Sequence, residues 1–419
     1  MKWIKRMFEV REVREALLFI LLVLTIFRIA AHIPIPGIDA SNVANLLAAN
    51  QFLGLLNVFS GGTLETLSIV ALGVAPYITA SIIVQLLGMI FPSVEEMQKE
   101  EQGRQKMNQW TRYATIPIAL LQGYGILNLL GQNGAGGVLV GWNIVPALIA
   151  MTAGTVFLMW LGELISERKV GNGISIMILA GIIAGFPRFV QQTAATYTST
   201  EVLDIVLFAV LLLVTIASVV VITEGQRNIP VQYARGLRGG AAQRIQSHIP
   251  MRLNTGGMIP IIFAVSMIVF PPLVAQFLLG ARTEFLRNVA TFVLQLFGNN
   301  LFYGILYFAL VFAFTYFYSS VIFKPETIAE NLQKQGGFIP GIRPGRETQS
   351  HLQRVQNRLL LTGATFLAVI AVLPIIVQEI TGSQNLIVGG SSIIIVVGVI
   401  IDMMKQIDAQ VSLQEYDVM

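Results

Sequence analysis

The stretch Gly73-Val-Ala-Pro76-Tyr-Ile78 has an echo later in the chain, Gly257-Met-Ile-Pro260-Ile-Ile262, and both read Gly-x-x-Pro-x-Ile. Both stretches lie in long apolar runs. Glycine and proline weaken or interrupt a helix, and the backbone groups that they free must find partners in protein or in water. Breaks at matching positions of two halves of a membrane protein indicate a pathway between the halves. A simple kink in a packed bundle is the alternative interpretation.

The apolar runs around these stretches predict a membrane protein. Of the 419 residues, 54% are apolar and only 12% are charged, whereas soluble proteins carry about 25% charged residues. A helix needs roughly 20 apolar residues to cross the hydrocarbon core of a bilayer. We therefore predict an all-α polytopic membrane protein with ten spans. The predicted spans are residues 16–32, 64–91 (broken), 113–130, 144–163, 173–187, 202–223, 256–279, 301–323, 359–378 and 386–404.

The ten spans divide into two sets of five near residues 190–200, which gives an N-terminal half, 1–190, and a C-terminal half, 200–419. A second pair of similar stretches supports this division, because Gly171-Asn-Gly173-Ile-Ser-Ile opens the fifth span and Gly389-Gly390-Ser-Ser-Ile-Ile opens the tenth. With an odd number of spans in each half, repeats must be inverted relative to each other. Glycine and proline are common in membrane helices, so a chance match is the competing explanation.

Lysine and arginine orient the chain. Of the 27 Lys and Arg residues, 23 lie in the two termini and in the loops on their side, which include the long loops 224–254 and 324–358. Only Arg188, Arg282 and Arg287 lie in loops on the other side, and the remaining residue, Arg28, lies within a span. Because positively charged loops are retained in the cytoplasm, both termini are predicted to be cytoplasmic.

The spans lack the groups that several function classes need. Ion-coupled transporters require ionisable residues within the membrane, but Arg28, Glu163, Glu379 and Asp402 all lie near span ends. An intramembrane enzyme needs a paired acid, or a nucleophile with its base, and neither is visible. There is no cysteine, and the three histidines are far apart. The chain also lacks a phosphate-binding loop. We therefore predict a passive channel for polypeptide or solute, with no enzymatic activity, metal or cofactor, over a secondary transporter or an enzyme.

The paired stretches supply isoleucine and valine beside their Gly/Pro breaks. A constriction of such side chains can hold a pore shut by excluding water. For any single isoleucine, packing against lipid or core is the simpler explanation, so only their shared position marks them as a group. The small, polar stretch before Pro76, Ser60-Gly-Gly-Thr-Leu-Glu-Thr66, favours a re-entrant element.

The two long loops 224–254 and 324–358 are basic and rich in turn-forming residues. In the second, Arg343 stands between two Pro/Gly turns, which would present its side chain rigidly. A basic, projecting surface suits an acidic protein partner or ribosomal RNA. Charge that serves only to orient the chain in the membrane is the simpler alternative.

Five stretches together resemble the SecY family, the central subunits of bacterial protein-translocation channels, and the resemblance covers nearly the whole chain. They are His32-Ile-Pro-Ile-Pro-Gly37-Ile-Asp, Leu72-Gly-Val-Ala-Pro-Tyr-Ile-Thr-Ala-Ser-Ile-Ile-Val-Gln-Leu86, Trp160-Leu-Gly-Glu-Leu-Ile-Ser-Glu, Gly171-Asn-Gly-Ile-Ser-Ile and Phe338-Ile-Pro-Gly-Ile-Arg-Pro-Gly345. The resemblance implies ten transmembrane helices in two inverted five-helix halves around an hourglass pore.

The resemblance also implies roles for particular residues. A plug would cover about residues 59–72, including Ser60, Gly61, Gly62, Thr63, Leu64, Glu65 and Thr66. A pore ring would consist of Val74, Ile78, Ile174, Ile178, Ile262 and Ile395. A lateral gate between spans 2 and 7 would include Thr79, Gln85, Asn254 and Phe270. The docking surface would use Arg235, Arg238 and Arg343. Valine at position 74, where the family frequently has isoleucine, would loosen the ring slightly.

The partners follow from the same resemblance. Small SecE and SecG subunits would complete the channel in the bacterial plasma membrane, and the SecA motor or the ribosome would drive it from the cytoplasm. Its substrates would be secretory polypeptides and membrane proteins. A membrane-spanning segment prefers lipid to water, so the channel would release such segments sideways into the bilayer.

Overall fold

The structure, a computed structural model, describes residues 10–35, 57, 60–132, 144–195, 202–233, 246–280, 283–381 and 385–417. Within these ranges the chain is mainly α-helical. The helices are α1 Arg11–Ala30, α2 Ala75–Ile90, α3 Pro92–Lys99, α4 Glu101–Gln132, α5 Ile144–Glu167, α6 Gly173–Ala195, α7 Val202–Glu224, α8 Ile259–Leu279, α9 Glu284–Phe297, α10 Asn300–Ile322, α11 Pro325–Lys334, α12 Arg346–Thr381 and α13 Asn385–Asp417. The strands are β1 Gln226–Tyr233, β2 Gln246–Arg252 and β3 Gly337–Phe338.

A helix coincides with each of the ten predicted spans, and the helical fold class is confirmed. By length and composition, four described segments can cross a membrane: Ile144–Glu167, Ile259–Leu279, Asn300–Lys334 and Arg346–Val377. Three shorter apolar helices, Ala75–Gly88, Gly173–Pro187 and Leu212–Glu224, fall below that length. The exact number of spans therefore stays a prediction.

The two Gly-x-x-Pro stretches begin helices and do not interrupt them. Gly73 and Gly257 adopt left-handed backbone conformations with φ of 58° and 60°, which glycine tolerates without steric cost. Two residues later α2 and α8 begin, each with proline as its second residue. Proline suits the first turn because the N–H that it lacks has no partner there in any helix. The second predicted span, 64–91, is therefore broken as predicted, with non-helical residues 64–74 before α2, whereas α8 continues from its turn as a single helix. The two Gly-x-x-Pro stretches adopt the same conformation at their glycines.

Most helix contacts in the two predicted halves are equivalent, although α7 also packs on α13 and α1 has no comparable contact with α6. In the first half, α2 contacts α4, α4 contacts α5, and α5 contacts both α1 and α6. In the second half, α8 contacts α10, α10 contacts α12, and α12 contacts both α7 and α13. The two sets meet where α2 and α4 pack on α8, and where α1 and α6 pack on α13. This pattern is what an internal repeat of five spans would produce.

The loops 224–254 and 324–358 form one unit, which sequence analysis did not predict. Strands β1 and β2 make an antiparallel hairpin, and β1 also pairs with β3 through Gln232–Phe338 and Tyr233–Gly337. Beneath this sheet lies a small hydrophobic core of its own, separate from the large core of the helices. Its buried members are Ile229, Val231, Met251, Leu332, Ile339, Leu352 and Val355. We call this unit the loop platform.

Candidate functional site

Five of the six predicted ring residues are buried in one hydrophobic core. Val74, Ile78, Ile178, Ile262 and Ile395 are each at most 5% exposed. They come from the start of α2 and from α6, α8 and α13, and all belong to the same cluster of apolar side chains. Branched apolar side chains from four helices are therefore buried in the same core, and such side chains offer water no favourable sites. The arrangement has the composition of a closed apolar constriction.

Ile174, the sixth predicted ring residue, is only partly buried and packs at the edge of this core. It lies against Gly162 of α5, where an added Cβ atom would stand 2.5 Å from the Cδ1 atom of Ile174. That contact fits helix packing between α5 and α6 as well as it fits a ring.

Residues 61–72 of the predicted plug are non-helical and fold back on themselves through hydrogen bonds, while Ser60 is helical. The Thr63 hydroxyl donates to the carbonyl oxygens of Ser60, at 2.8 Å, and Val70, at 2.9 Å. The backbone N–H of Leu64 donates to the Ser60 hydroxyl oxygen at 3.2 Å. These short polar side chains replace the partners that a helix would provide, as buried backbone groups require. Phe59, at the predicted start of the plug, lies outside the described residues.

The plug is also tied to the segment that follows α1. The N–H of Ile35 donates to the carbonyl of Leu67, and the N–H of Ile69 donates to the carbonyl of Ile33, both at 2.9 Å. The Thr66 hydroxyl donates to the carbonyl of Ala31 at 3.0 Å. Backbone groups that would be costly to bury without partners are thereby satisfied by a second stretch of chain.

Glycines let the plug approach the helices closely. A Cβ atom added at Gly181 of α6 would overlap the Cα atom of Gly61, and one added at Gly154 of α5 would overlap the carbonyl oxygen of Ile69. Leu64 and Leu67 are 2% and 1% exposed, so the plug fills the interior with apolar side chains. The structure therefore shows the plug seated among the helices.

Thr79 and Gln85 lie on α2 and Phe270 lies on α8, while Asn254 lies in the turn before α8; the two helices are in contact. Thr79 is buried, donates to the carbonyl of Ala75 and accepts from Gln122 of α4 at 3.4 Å. Gln85 donates to the Ser81 hydroxyl at 3.0 Å, and Phe270 is partly buried on α8. Among the described side-chain hydrogen bonds of these residues, none crosses from α2 to α8. The contact between the two helices thus rests on apolar packing.

Asn254 has a local role that sequence analysis did not predict. Its side-chain amide donates to the carbonyl of Gly257 at 2.8 Å, and the residue is 3% exposed. The bond holds the left-handed turn from which α8 begins. Asn254 therefore positions the first turn of the helix, whether or not it also lines a gate.

Asp402 of α13 is a site residue that sequence analysis passed over. Its carboxylate accepts a hydrogen bond from the backbone N–H of Met258 and interacts with the positive charges of Arg252 and Lys405. A Cβ atom added at Gly257 would lie 2.8 Å from Oδ2 of Asp402. A carboxylate at the N-terminus of a helix satisfies a free N–H and complements the helix dipole. The sequence feature that could have identified Asp402 is an acidic residue at the end of a predicted span with no other charged residue.

Lys405 extends this polar cluster to α7. Its ammonium group lies 2.9 Å from the Glu224 carboxylate and donates to the carbonyl of Thr223 at 3.1 Å. The start of α8 is thereby connected through α13 to the end of α7. We call Asp402, Lys405 and Glu224 the α8 clamp.

Arg343 is exposed on the loop platform and held by its backbone. Gly341 and Gly345 on either side have φ of 81° and 96°, which confirms two glycine-dependent turns. The Thr348 hydroxyl donates to the carbonyl of Arg343 at 2.9 Å. The backbone is thus well fixed while the guanidinium group projects into solvent. Arg235 and Arg238 follow β1 in the sequence and lie outside the described residues.

Comparison with known proteins finds relatives that match nearly the whole chain. A sequence model of the SecY family matches residues 68–404. The protein translocase subunit SecY of Halalkalibacterium halodurans is 42% identical over 99% of this chain and 98% of its own length. Two solved structures share the fold at 17% identity, and each alignment covers 93% of this chain and 90% of the other. They are a protein-conducting channel, with a TM-score of 0.64, and Sec61 in a canine ribosome-channel complex, with a TM-score of 0.61.

We predict that Gly181→Val raises the ion leak of the resting protein in planar bilayers. Overpacking in a core costs about 1–3 kcal/mol, which would raise the fraction of molecules with a displaced plug about 5- to 150-fold. Gly185→Val on the same helix is the control, because an added Cβ there meets nothing within 4 Å. If Gly181→Val assembles normally and conducts no more than the control, the contact with Gly61 does not hold the seal.

We predict that Asp402→Ala lowers the free energy of unfolding by about 0.5–2 kcal/mol, the usual cost of losing a helix cap. Asp402→Asn should cost less because its amide oxygen can still accept from Met258. Thermal unfolding in detergent measures both variants. Equal midpoints for Asp402→Ala and the unmodified protein would show that the carboxylate does not support α8.

Proposed function

This chain belongs to the SecY family, and we propose that it forms the channel of a Sec translocase, which passes secretory polypeptides across the bacterial plasma membrane. It is a multi-pass membrane protein. The observation that carries the proposal is the predicted plug, whose residues 61–72 are non-helical and bury Leu64 and Leu67 in the same hydrophobic core as the five buried ring residues. Non-helical backbone is tolerated at membrane depth only inside protein or beside a water-filled cavity.

The proposed resting state is a double seal. Val74, Ile78, Ile174, Ile178, Ile262 and Ile395 form the pore ring, and residues 59–72 form the plug. A translocating polypeptide would displace the plug, while the branched side chains of the ring close around chains of different sequence. Because the seal depends on apolar packing, it admits a polypeptide of varied composition and still excludes hydrated ions.

A sideways exit between α2 and α8 completes the proposal. These helices come from the two proposed halves, 1–190 and 200–419, and their equivalent neighbours support an inverted repeat. Thr79, Gln85, Asn254 and Phe270 would line the exit. Among the described side-chain hydrogen bonds of these four residues, none joins α2 to α8. Separation of the two helices would therefore not have to break such a bond. A membrane-spanning segment of the substrate could then partition from the pore into lipid.

The energy and the remaining subunits come from outside the chain. Both termini and the loop platform would lie in the cytoplasm, an orientation that the distribution of Lys and Arg supports. There Arg343, with Arg235 and Arg238, would dock the ribosome or the SecA motor. SecE and SecG subunits would complete the complex. One structural relative is Sec61 in a ribosome-channel complex, which supports the ribosome as a partner.

A secondary transporter is the alternative function class, and the acidic residues of the spans give it little support. The acids at span ends are engaged in local contacts, since Glu163 pairs with Arg112 at 2.8 Å and Glu379 accepts from Asn300 at 3.0 Å. Asp402 accepts from the first turn of α8. Proton- or sodium-coupled uptake of a small solute by the purified chain in liposomes would favour this alternative.

Crosslinking of a stalled secretory polypeptide tests the channel directly. We expect Ile78→Cys, Ile178→Cys and Ile262→Cys each to crosslink to a chain arrested during export. The unmodified protein has no cysteine, so the background is clean. Val221→Cys, at a 69% exposed position of α7, is the control for a lipid-facing site. Crosslinks at Val221→Cys as strong as those at the three ring positions would contradict a central path.

We predict that Arg343→Glu blocks export while the protein remains folded and assembled. A hydrogen bond to a charged group contributes about 1.5–3 kcal/mol, so its loss weakens docking about ten- to a hundred-fold. Lys334→Glu is the matched charge reversal, because Lys334 is also exposed on the loop platform and pairs with Glu330 at 3.1 Å. Export and partner binding are measured for both variants. Normal export with Arg343→Glu, or equal defects in both, would remove Arg343 from the docking site.

A further inference from the structure

Helix α9 has three distinct faces. Ala290 is completely buried, and Leu286, Val293, Leu294 and Phe297 on the same side are partly buried against the protein. A second side is exposed and polar, with Arg287, Asn288, Thr291 and Gln295. Between these two lies a third side on which Phe285, Val289 and Phe292 are 72%, 39% and 64% exposed. Positions i, i+4 and i+7 align along a helix, so these three side chains form a continuous apolar stripe.

The place of α9 in the fold puts this stripe at one end of the membrane helices. The helix lies between the end of α8 and the start of α10 and packs on both. The loop platform adjoins the opposite ends of α8 and α10, so α9 is at the far end of the molecule from it. With 14 residues, α9 is about 21 Å long, too short to cross about 30 Å of hydrocarbon.

The connection to α10 holds α9 in place. Only Gly298 and Asn299 separate the two helices, and the Asn299 side chain accepts from the N–H groups of Leu301 and Phe302. The rings of Phe297 and Phe302 pack edge to face across the corner at 5.7 Å. The stripe therefore has a defined position next to the first turns of α10.

The neighbouring surface of α10 indicates what covers the stripe. Leu301 and Ile305, in the first two turns of that predicted span, are 74% and 63% exposed. Apolar side chains so exposed at the start of a membrane helix face lipid. The stripe continues this apolar surface, while the polar face of α9 requires water. An amphipathic helix in the plane of the membrane interface meets both conditions.

We propose that α9 is an interfacial helix that inserts Phe285, Val289 and Phe292 among the lipid acyl chains. Because α9 packs directly on α8, this insertion ties the far end of α8 to the surface of the bilayer, whereas the α8 clamp holds the other end to protein. This contact of α9 with lipid does not depend on which substrate the channel passes.

Spin labels on single cysteines test the proposal in the full-length protein, reconstituted in phosphatidylethanolamine–phosphatidylglycerol vesicles. Phe285→Cys and Phe292→Cys report on the stripe, and Asn288→Cys and Gln295→Cys are matched controls on the polar face of the same helix. Collisions with oxygen, which concentrates in lipid, and with a nickel chelate, which stays in water, are measured for each label. We expect the ratio of oxygen to nickel accessibility to be several-fold higher at the two stripe positions.

Two other results would overturn the proposal. Equal ratios at all four positions would place the stripe in water. Immobile labels at Phe285→Cys and Phe292→Cys that neither reagent reaches would show that a protein surface, from a second copy or a partner subunit, covers the stripe in place of lipid.

Discussion

Backbone groups inside an apolar bundle must have hydrogen-bond partners, and this requirement governs the centre of the molecule. The plug lies there without helical structure, so each polar group that it buries needs a specific neighbour. Thr63 and Ser60 provide such partners within the plug, and residues 31–35 provide others. The close approach of Gly61 to Gly181 then allows the satisfied segment to sit against α6 without a gap. If this segment were displaced, the bonds within it would move with it, whereas its bonds to residues 31–35 would have to break.

The equivalent starts of α2 and α8 show how one motif serves two purposes. Each start combines a left-handed glycine with proline in the first turn. The turn before α2 continues directly into the plug, whereas the turn before α8 is bound by Asn254 and by Asp402 of α13. Helix α8 therefore begins from a turn anchored to another helix, and α2 begins from the segment that is proposed to move. The repeat gives the two helices the same geometry, and their surroundings make them different.

The contacts of α8 differ in kind along its length. Polar contacts are concentrated at its first turn, through the α8 clamp. Most of its middle is packed against apolar groups, with Ile262 buried and the Phe263 ring against Phe314 and Tyr318, although Met267 is exposed. Apolar packing has no preferred direction, so it can exclude water without fixing the helix in a single position. Helix α8 has directional hydrogen bonds at its first end and non-directional packing in its middle. This combination suits a helix that borders both the proposed seal of the pore and the proposed exit between α2 and α8.

The sequence by itself determined that the chain is a helical membrane protein and where its ten apolar helices lie, but not the helices α3, α9 and α11. It also identified two Gly-x-x-Pro stretches that adopt the same conformation. These features depend on local composition: apolar runs of sufficient length, charges between them, and a Gly-x-x-Pro pattern at both helix starts. The turns on either side of Arg343 were also predictable, because they depend on adjacent proline and glycine. Only the tertiary structure showed the cap formed by Asp402, the meeting of Gly61 with Gly181, and the joining of two distant loops into one platform. Each of these depends on residues far apart in the chain, and no local pattern specifies which distant backbone group a carboxylate or a glycine will meet.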